Sequence, residues 1–229
     1  MANFDPARSV FGCQVRHTNL CDKIFVIMAR KYEQKRRAEL QQETRRRIAR
    51  AAMELHESGG PSRTTISAVA ERAGVQRQTF YRHFPDELSL LRACSSLDLS
   101  ENPLPDPDLW AQIVDPEERL RVALAELYAY LRRRERILAN VLRDAEGEAE
   151  ANANVREVLK PMAARWERMR EVLYVGWEVP DGASEKLLGA TIGVALDFQT
   201  WRAMVRGQGL SDEEAIEVMA RMVRCVARS

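Results

Sequence analysis

The segment from Thr65 to Phe84 constrains the fold of this chain more than any other, because it predicts two short helices joined by a glycine. The first helix follows an N-cap threonine and has four apolar residues at the spacing of one helical face, namely Ile66, Val69, Ala70 and Ala73. Gly74 stands where a left-handed turn is needed, and Phe80 and Phe84 anchor the second helix. This pattern indicates a helix-turn-helix, whose second helix enters the major groove of DNA.

The exposed side of the second helix carries side chains that can read bases. Glutamine can bond adenine, and arginine can bond guanine, in bidentate fashion, whereas hydroxyl groups suit phosphate oxygens. The predicted DNA-contacting residues are Thr65, Gln76, Arg77, Gln78, Thr79, Tyr81, Arg82 and His83.

The distribution of charge supports a polyanionic partner. Residues 28–83 contain 13 Lys and Arg against 6 Asp and Glu, whereas residues 84–229 contain 19 against 26. A basic first region beside an acidic second one favours nucleic acid bound by the first. The run Arg132–Arg134 lies in the acidic region, where a solvated helix face is favoured over a second nucleic-acid site.

The chain predicts an all-α protein, because no alternating β pattern of useful length occurs. We expect a poorly ordered extension at residues 1–28, where a translation start at Met28 would explain the change of pattern. A helix-turn-helix domain follows at 29–94, with a basic arm at 29–40. A proline-containing connector at 95–108 leads to a helical regulatory and dimerisation domain at 109–229.

The second domain predicts five helices. Leucines repeat after Asp115-Pro116, a short helix carrying Ile137 ends near Gly147, and a third runs from about Asn154 to Trp177. The last two, residues 184–205 and 211–228, are apolar over more than one face, which favours a homodimer interface.

Four cysteines and three histidines show no metal-binding spacing, so we expect no metal and no cofactor. Unpaired cysteines indicate a cytoplasmic protein, and no apolar run suggests a membrane partner.

The stretch Arg45–Leu91 resembles the DNA-binding domain of the TetR/AcrR family of transcription regulators. It has a long first helix, a Thr-Thr pair, Ala-x-x-Ala-Gly-Val and Thr-Phe-Tyr-x-His-Phe. The resemblance implies a dimer on two-fold operator DNA, acting as a repressor that a small-molecule inducer releases. It also implies that Tyr81 contacts phosphate and that residues 76–79 contact bases.

One position departs from the family pattern. Many members have a phosphate-contacting lysine two residues after the position of Pro85, whereas this chain has Glu87 beside Asp86. Acidic residues suit a helix N-terminus but would repel a phosphate. Either this helix lies further from DNA, or the basic arm compensates.

A small apolar effector is expected to bind the second domain, since effector cavities are mostly apolar and aromatic. The candidate ligand-binding residues are Trp110, Tyr128, Trp166, Asp197, Phe198 and Trp201. The aromatic residues could equally fill the core. Asp197, expected to be buried, could bond a ligand or pair with Arg202 or Arg206 across a dimer interface.

Two other functions compete with an effector-released repressor. In the first, the second domain only dimerises and DNA binding is independent of any effector. In the second the chain is an enzyme, but it contains no nucleophile elbow, phosphate-binding glycine loop, zinc-binding helix or carboxylate dyad.

Overall fold

The computed structural model describes residues 20–147, 150–179 and 182–228, apart from the side chains of 20–26, 150–152 and 182–183. The described residues form helices and turns and no strand, which confirms the all-α prediction. The ten α-helices of these residues are α1 (Leu20–Gly59), α2 (Ile66–Arg72), α3 (Arg77–His83), α4 (Glu87–Glu101), α5 (Pro107–Trp110), α6 (Pro116–Glu146), α7 (Glu150–Tyr174), α8 (Gly182–Leu196), α9 (Phe198–Arg202) and α10 (Asp212–Ala227). A 3₁₀ turn, Pro61–Arg63, follows α1, and a π-helical turn, Ala203–Gly207, follows α9.

The chain divides into two compact units, residues 1–44 and residues 45–229. In the first unit, the α1 side chains of residues 27–43 are exposed, as their polar sequence requires. Helix α1 starts at Leu20 and not at Ala29, so residues 20–28 are helical where an extension was expected. No glycine or proline precedes Gly59 in this helix, which explains its length. The rest of the expected extension, residues 1–19, lies outside the described residues.

Two hydrophobic cores lie in the second unit. The smaller one joins the end of α1 to α2, α3 and α4, and its buried members include Ile48, Ala52, Val69, Phe80, Phe84 and Leu90. The larger one joins α6, α7, α8 and α10, and its members include Leu124, Leu127, Met169, Leu173, Ile192 and Met219. Both sets recur at helical spacing in the sequence, so each helix buries one stripe of its surface.

Two predicted boundaries were wrong. Helix α4 continues to Glu101, so the connector between α4 and α5 is only residues 102–106. The helix ends there because Asn102 precedes Pro103, which disfavours a helical backbone, and Asn102 has φ −131° and ψ 73°. Helix α6 is one helix of 31 residues where two were predicted, since nothing between Pro116 and Glu146 interrupts it.

The predicted helix at 184–205 is interrupted at Asp197, and this residue corrects the expectation of a buried acid. Its side chain is exposed and accepts a hydrogen bond of 2.8 Å from the backbone N–H of Thr200. Asp197 is therefore the N-cap of α9, a position where aspartate is favoured because it satisfies a free N–H. The final helix begins with a capping box formed by Ser211 and Glu214.

Candidate DNA-binding face and effector cavity

Local sequence signals build the helix-turn-helix as predicted. The hydroxyl oxygen of Thr65 accepts from the backbone N–H of Ala68 at 3.2 Å and caps α2. Gly74 has φ 64°, which favours glycine, and the next N–H, of Val75, donates to the carbonyl of Ala70 at 2.9 Å. This turn places α3 after α2 at a fixed angle.

Helix α3 has one buried and one exposed face. Phe80 and Phe84 are buried in the smaller core and lie 5.9 Å apart between ring centroids. The opposite face exposes Gln76, Arg77, Gln78, Tyr81 and Arg82, while Thr79 and His83 are half-buried. The structure therefore brings the predicted α3 residues together on one accessible helix.

The two hydroxyl groups predicted to bind phosphate remain available. Thr65 uses a lone pair to cap α2, so its O–H can still donate outward. Tyr81 is 44% exposed, and its hydroxyl has no hydrogen-bond partner among the described residues.

Several arginines of this region have no carboxylate partner among the described residues. They are Arg46, Arg47, Arg63, Arg77 and Arg82, and all are exposed. Among the described residues of this region, Arg50 pairs with Glu101 and Arg72 pairs with Glu54. An unpaired exposed guanidinium is free to bond a phosphate or a base edge.

Arg45 supports the end of α3, a role that sequence reasoning missed. Its guanidinium donates to the carbonyl of His83 and lies 4.1 Å from the centroid of the Phe84 ring. Burial, followed by the charges of Arg82 and Arg45, lowers the pKa of the His83 imidazole. The lowered pKa favours the neutral form of this imidazole.

Glu87, at the position of the missing lysine, is engaged inside the molecule. Its Oε2 accepts from Nδ2 of Asn154 on α7 at 2.9 Å, while Asp86 caps α4 through the N–H of Ser89 at 2.7 Å. Sequence spacing gives no indication of this partner, because Asn154 lies 67 residues away. The glutamate thus joins α4 to α7 and leaves no cation at this point for DNA.

The end of α1 is held by three polar side chains of α6, an arrangement we call the joint. Nδ2 of Asn140 donates to the carbonyls of His56 at 3.2 Å and Glu57 at 2.8 Å, and Arg143 donates to the carbonyl of Gly59 at 2.9 Å. Asp144 accepts from the backbone N–H of Ser62 at 2.8 Å. These bonds satisfy the last carbonyls of α1, which no helix can satisfy by itself.

An apolar cavity of about 90 Å³ lies between the helices of both cores. It is lined by Met53 and His56 of α1, Pro61, Leu91, Cys94, Ser95, Asp98 and Leu99 of α4, Tyr130, Ile137, Leu138 and Val141 of α6, and Val155, Val158, Leu159 and Met162 of α7. A ligand here would touch both the helices that carry α3 and those of the larger core.

Two polar groups of the cavity wall, the imidazole of His56 and the thiol of Cys94, are uncharged near neutral pH. Burial lowers the pKa of His56 to about 4 despite the opposing effect of Asp144, and burial first and Asp98 second raise the pKa of Cys94 to about 12. Asp98 forms an ion pair with Arg134, but its burial outweighs that partner and raises its pKa. The wall thus favours an apolar ligand with at most a few hydrogen bonds.

None of the six residues predicted to bind the effector lines this cavity. Five aromatic side chains pack in or against the larger core, and three of them satisfy their polar atoms internally. Trp110 donates to Glu126 at 2.8 Å, Tyr128 to the carbonyl of Ala195 at 2.9 Å and Trp201 to Asp212 at 2.9 Å. Phe198 is buried beside Trp201, Trp166 is half-buried against the same core, and Asp197 caps α9. A core position and an effector-binding position have the same residue types and the same helical spacing, so the sequence could not separate them.

The proposed partners of Asp197 are also elsewhere. Arg206 pairs with Glu135 of α6 at 2.6 Å, and Arg202 lies 3.8 Å from the same carboxylate. Among the described residues, no group of three His, Cys, Asp or Glu side chains is placed to hold a metal ion. None of the described helices has an apolar stretch that could span a lipid bilayer.

Helices α8 and α10 each expose apolar side chains at helical spacing. Leu187 and Val194 on α8 are 60% and 46% exposed, and Val218 and Met222 on α10 are 38% and 46% exposed. The two helices pack against each other. Their outer sides thus leave apolar surface in water.

Comparison with known proteins gives one family and many similar structures. Residues 48–94 match the family of bacterial regulatory proteins described as the tetR family. No curated protein matches the sequence.

The solved structures that resemble this one show its fold. A TetR-family transcriptional regulator of Mesorhizobium loti is 20% identical, with a TM-score of 0.56 over 82% of this chain and 96% of that one. NalD, the secondary repressor of the MexAB-OprM multidrug efflux pump in Pseudomonas aeruginosa, is 21% identical, with a TM-score of 0.54 over 81% and 95%. FadR of Bacillus subtilis, solved in complex with stearoyl-CoA, is 16% identical, with a TM-score of 0.56 over 77% and 96%.

Proposed function

We propose that this chain, which belongs to the TetR/AcrR family of transcription regulators, is a homodimeric repressor released from operator DNA by a small apolar effector. The observation that carries the proposal is the position of the apolar cavity, whose wall comes from α1 and α4 as well as from α6 and α7. A ligand bound there acts on the helices that hold the DNA-binding face. The similar structures of a repressor and of a stearoyl-CoA complex agree with this class of function.

DNA binding is assigned to the exposed face of α3. Arg77, Gln78 and Arg82 are exposed, and the two arginines have no carboxylate partner among the described residues. Their guanidinium and amide groups match the hydrogen-bonding edges of guanine and adenine in the major groove. The hydroxyls of Thr65 and Tyr81 then bind phosphate and position the helix.

Release follows from the size of the cavity. A volume of about 90 Å³ holds only a few heavy atoms, since a cavity of roughly 150 Å³ is needed for benzene. An effector larger than the cavity of about 90 Å³ must therefore move α4 away from α7. Two α3 helices of a dimer must lie roughly 34–36 Å apart to read adjacent major grooves, so a shift of α4 in each subunit spoils the spacing.

Dimerisation is assigned to the outer sides of α8 and α10. Leu187 and Val194 lie seven residues apart, and Val218 and Met222 lie four apart, so each pair shares one face. In sedimentation, Leu187→Glu with Met222→Glu should yield monomers, whereas Arg168→Glu with Arg170→Glu on exposed α7 positions should not. A wild-type monomer at micromolar concentration in the presence of DNA would contradict the dimer.

The DNA assignment is tested with an operator selected by this protein from random duplexes. Arg77→Ala and Gln78→Ala should each weaken operator binding by about 1–3 kcal/mol and relax specificity at one base pair per half-site. Tyr81→Phe should weaken binding to all sequences alike, and Arg170→Ala on α7 serves as the control. Wild-type affinity of both α3 variants for operator and random DNA would place the base-reading face elsewhere.

The effector assignment is tested on the protein–operator complex. Apolar compounds that raise the melting temperature of the protein should lower its affinity for the operator. The operator should lower the affinity of the protein for the compound by the same factor. Val158→Phe, which fills the cavity, should abolish this release and leave operator binding intact. Compounds that stabilise the protein without changing operator affinity would favour the effector-independent dimer.

A further inference from the structure

Five arginines surround an open hollow on the side of α6 that faces away from the effector cavity. Arg132, Arg133 and Arg136 come from α6, Arg202 from α9 and Arg206 from the π-helical turn. The hollow, which we call the arginine basin, has a volume of about 650 Å³. Glu135 and Glu57 are the acidic residues of its wall.

Two of the arginines are fixed by carboxylates, and a third lies near one. Arg132 donates to both oxygens of Asp212 at 2.6 and 2.8 Å, and Arg206 donates to Glu135 at 2.6 Å, with Arg202 at 3.8 Å from the same group. These bonds hold the guanidinium groups of Arg132 and Arg206 in place around the hollow. A site built in this way loses less side-chain entropy when it binds a ligand.

The other two arginines are free. Arg133 and Arg136 are exposed and have no carboxylate partner among the described residues. They lie three residues apart on α6 and so share one face of the helix. Five arginines against Glu57, Glu135 and Asp212 leave an excess of positive charge within a region that is acidic as a whole.

We propose that the arginine basin binds a small phosphate-bearing anion at a site separate from the effector cavity. Planar guanidinium groups bind phosphate oxygens in bidentate fashion, and several of them converge here on one hollow. Its volume lies in the range of pockets for small molecules. Arg132 and Arg206 are already bonded to Asp212 and Glu135, so Arg133 and Arg136 are the guanidinium groups left to receive the anion.

The site is tested by calorimetric titration of the full chain with pyrophosphate. Arg133→Gln with Arg136→Gln should weaken binding on the order of tenfold or more, because two charge-assisted hydrogen bonds are lost. Arg168→Gln with Arg170→Gln, exposed on α7, removes the same charge and should leave pyrophosphate binding unchanged. Unchanged melting temperatures show that both double variants are folded.

Three results would overturn the proposal. The first is no pyrophosphate binding by the wild-type chain up to millimolar concentration. The second is equal weakening by the two double variants, which would indicate general charge attraction. The third is a loss of duplex affinity in Arg133→Gln with Arg136→Gln that matches the loss of pyrophosphate affinity, which would make the basin a surface for the DNA backbone.

Discussion

The arginines of the DNA-binding region and those of the larger helical region are used in opposite ways. Around α3, exposed arginines such as Arg77 and Arg82 have no carboxylate partner among the described residues. From α6 onward most described arginines are paired, as Arg134 is with Asp98 and Arg206 with Glu135. The same side chain is thus mostly unpaired in one region and mostly engaged in internal ion pairs in the other. Arginine count alone therefore does not distinguish the two regions, whereas the share of arginines without acidic partners does.

The largest effect is expected at the pair that joins α4 to α6. Asp98→Ala should lower the free energy of unfolding by about 3–5 kcal/mol, because Arg134 would keep a mostly buried charge without a partner. Denaturant unfolding measures this change. Adding Arg134→Leu should restore most of the stability, since the unpaired charge is then removed. If Asp98→Ala alone lowers the free energy of unfolding by less than about 1 kcal/mol, the charge of Arg134 does not need its carboxylate partner.

His56 and His83, whose pKa values are both lowered, should contribute differently to the loss of stability in acid. The pKa of His56 is about 4 in the folded chain against 6.5 ordinarily, so only the unfolded state binds this proton between those pH values. The free energy of unfolding should therefore fall as the pH drops from 6.5 to 4, by up to about 3 kcal/mol from this residue. In unfolding curves across this range, His56→Gln should remove that part of the slope. His83→Gln, on the half-buried end of α3, should change it less, and equal changes would contradict the difference in burial.

A side chain at Gly60 should destabilise the joint between α1 and α6. Its φ of 96° disfavours other residues, and a Cβ would lie 2.6 Å from Oδ2 of Asp144 and closer still to Arg143. We expect Gly60→Ala to cost about 2 kcal/mol of unfolding free energy. Gly59→Ala is the matched control, because its Cβ would meet nothing closer than 3.9 Å. Equal thermal stability of the two variants would mean that the α6 side chains do not hold the end of α1.

Removing a free arginine should affect binding and not folding. Arg82→Gln should reduce the dependence of log affinity on log salt concentration by about one, with unfolding free energy unchanged within roughly 0.5 kcal/mol. Fluorescence anisotropy at several salt concentrations gives the slope. An unchanged slope together with a loss of stability would show that Arg82 supports the fold rather than DNA binding.

The smallest effect is expected at the exposed pairs of α7. Arg168 pairs with Asp108 at 2.8 Å, but both side chains are largely in water. Arg168→Gln should leave both the melting temperature and the operator affinity unchanged, because solvent screens this pair. A loss of stability in thermal melts would show that solvent screens this pair less than its exposure implies.

The helix-turn-helix could be predicted almost residue by residue because its signals are local. Thr65 caps the helix that follows it, Gly74 supplies a backbone conformation, and Phe80 and Phe84 lie on one helical face. Each of these depends on neighbours within one or two helical turns. The all-α class followed for the same reason.

Predictions about distant partners fared worse. Asp197 in an apolar run suggested a buried acid, but a helix break exposes it as a cap. The tryptophans suggested a ligand pocket, but Trp110 and Trp201 fill the core. Helical periodicity shows which face is apolar and does not show what that face contacts.

The sequence by itself thus determined the all-α class, the helix-turn-helix and the exposed chemistry of α3, because short-range spacing and backbone preference dictate them. Only the tertiary structure decided that Glu87 binds Asn154, that α6 caps α1 through Asn140, and that the apolar cavity lies between the two cores. Asn154 lies 67 residues from Glu87, and Asn140 lies 83 residues from the Glu57 carbonyl that it bonds. Contacts over such distances depend on how whole helices pack, and many sequences with the same periodicity would pack differently.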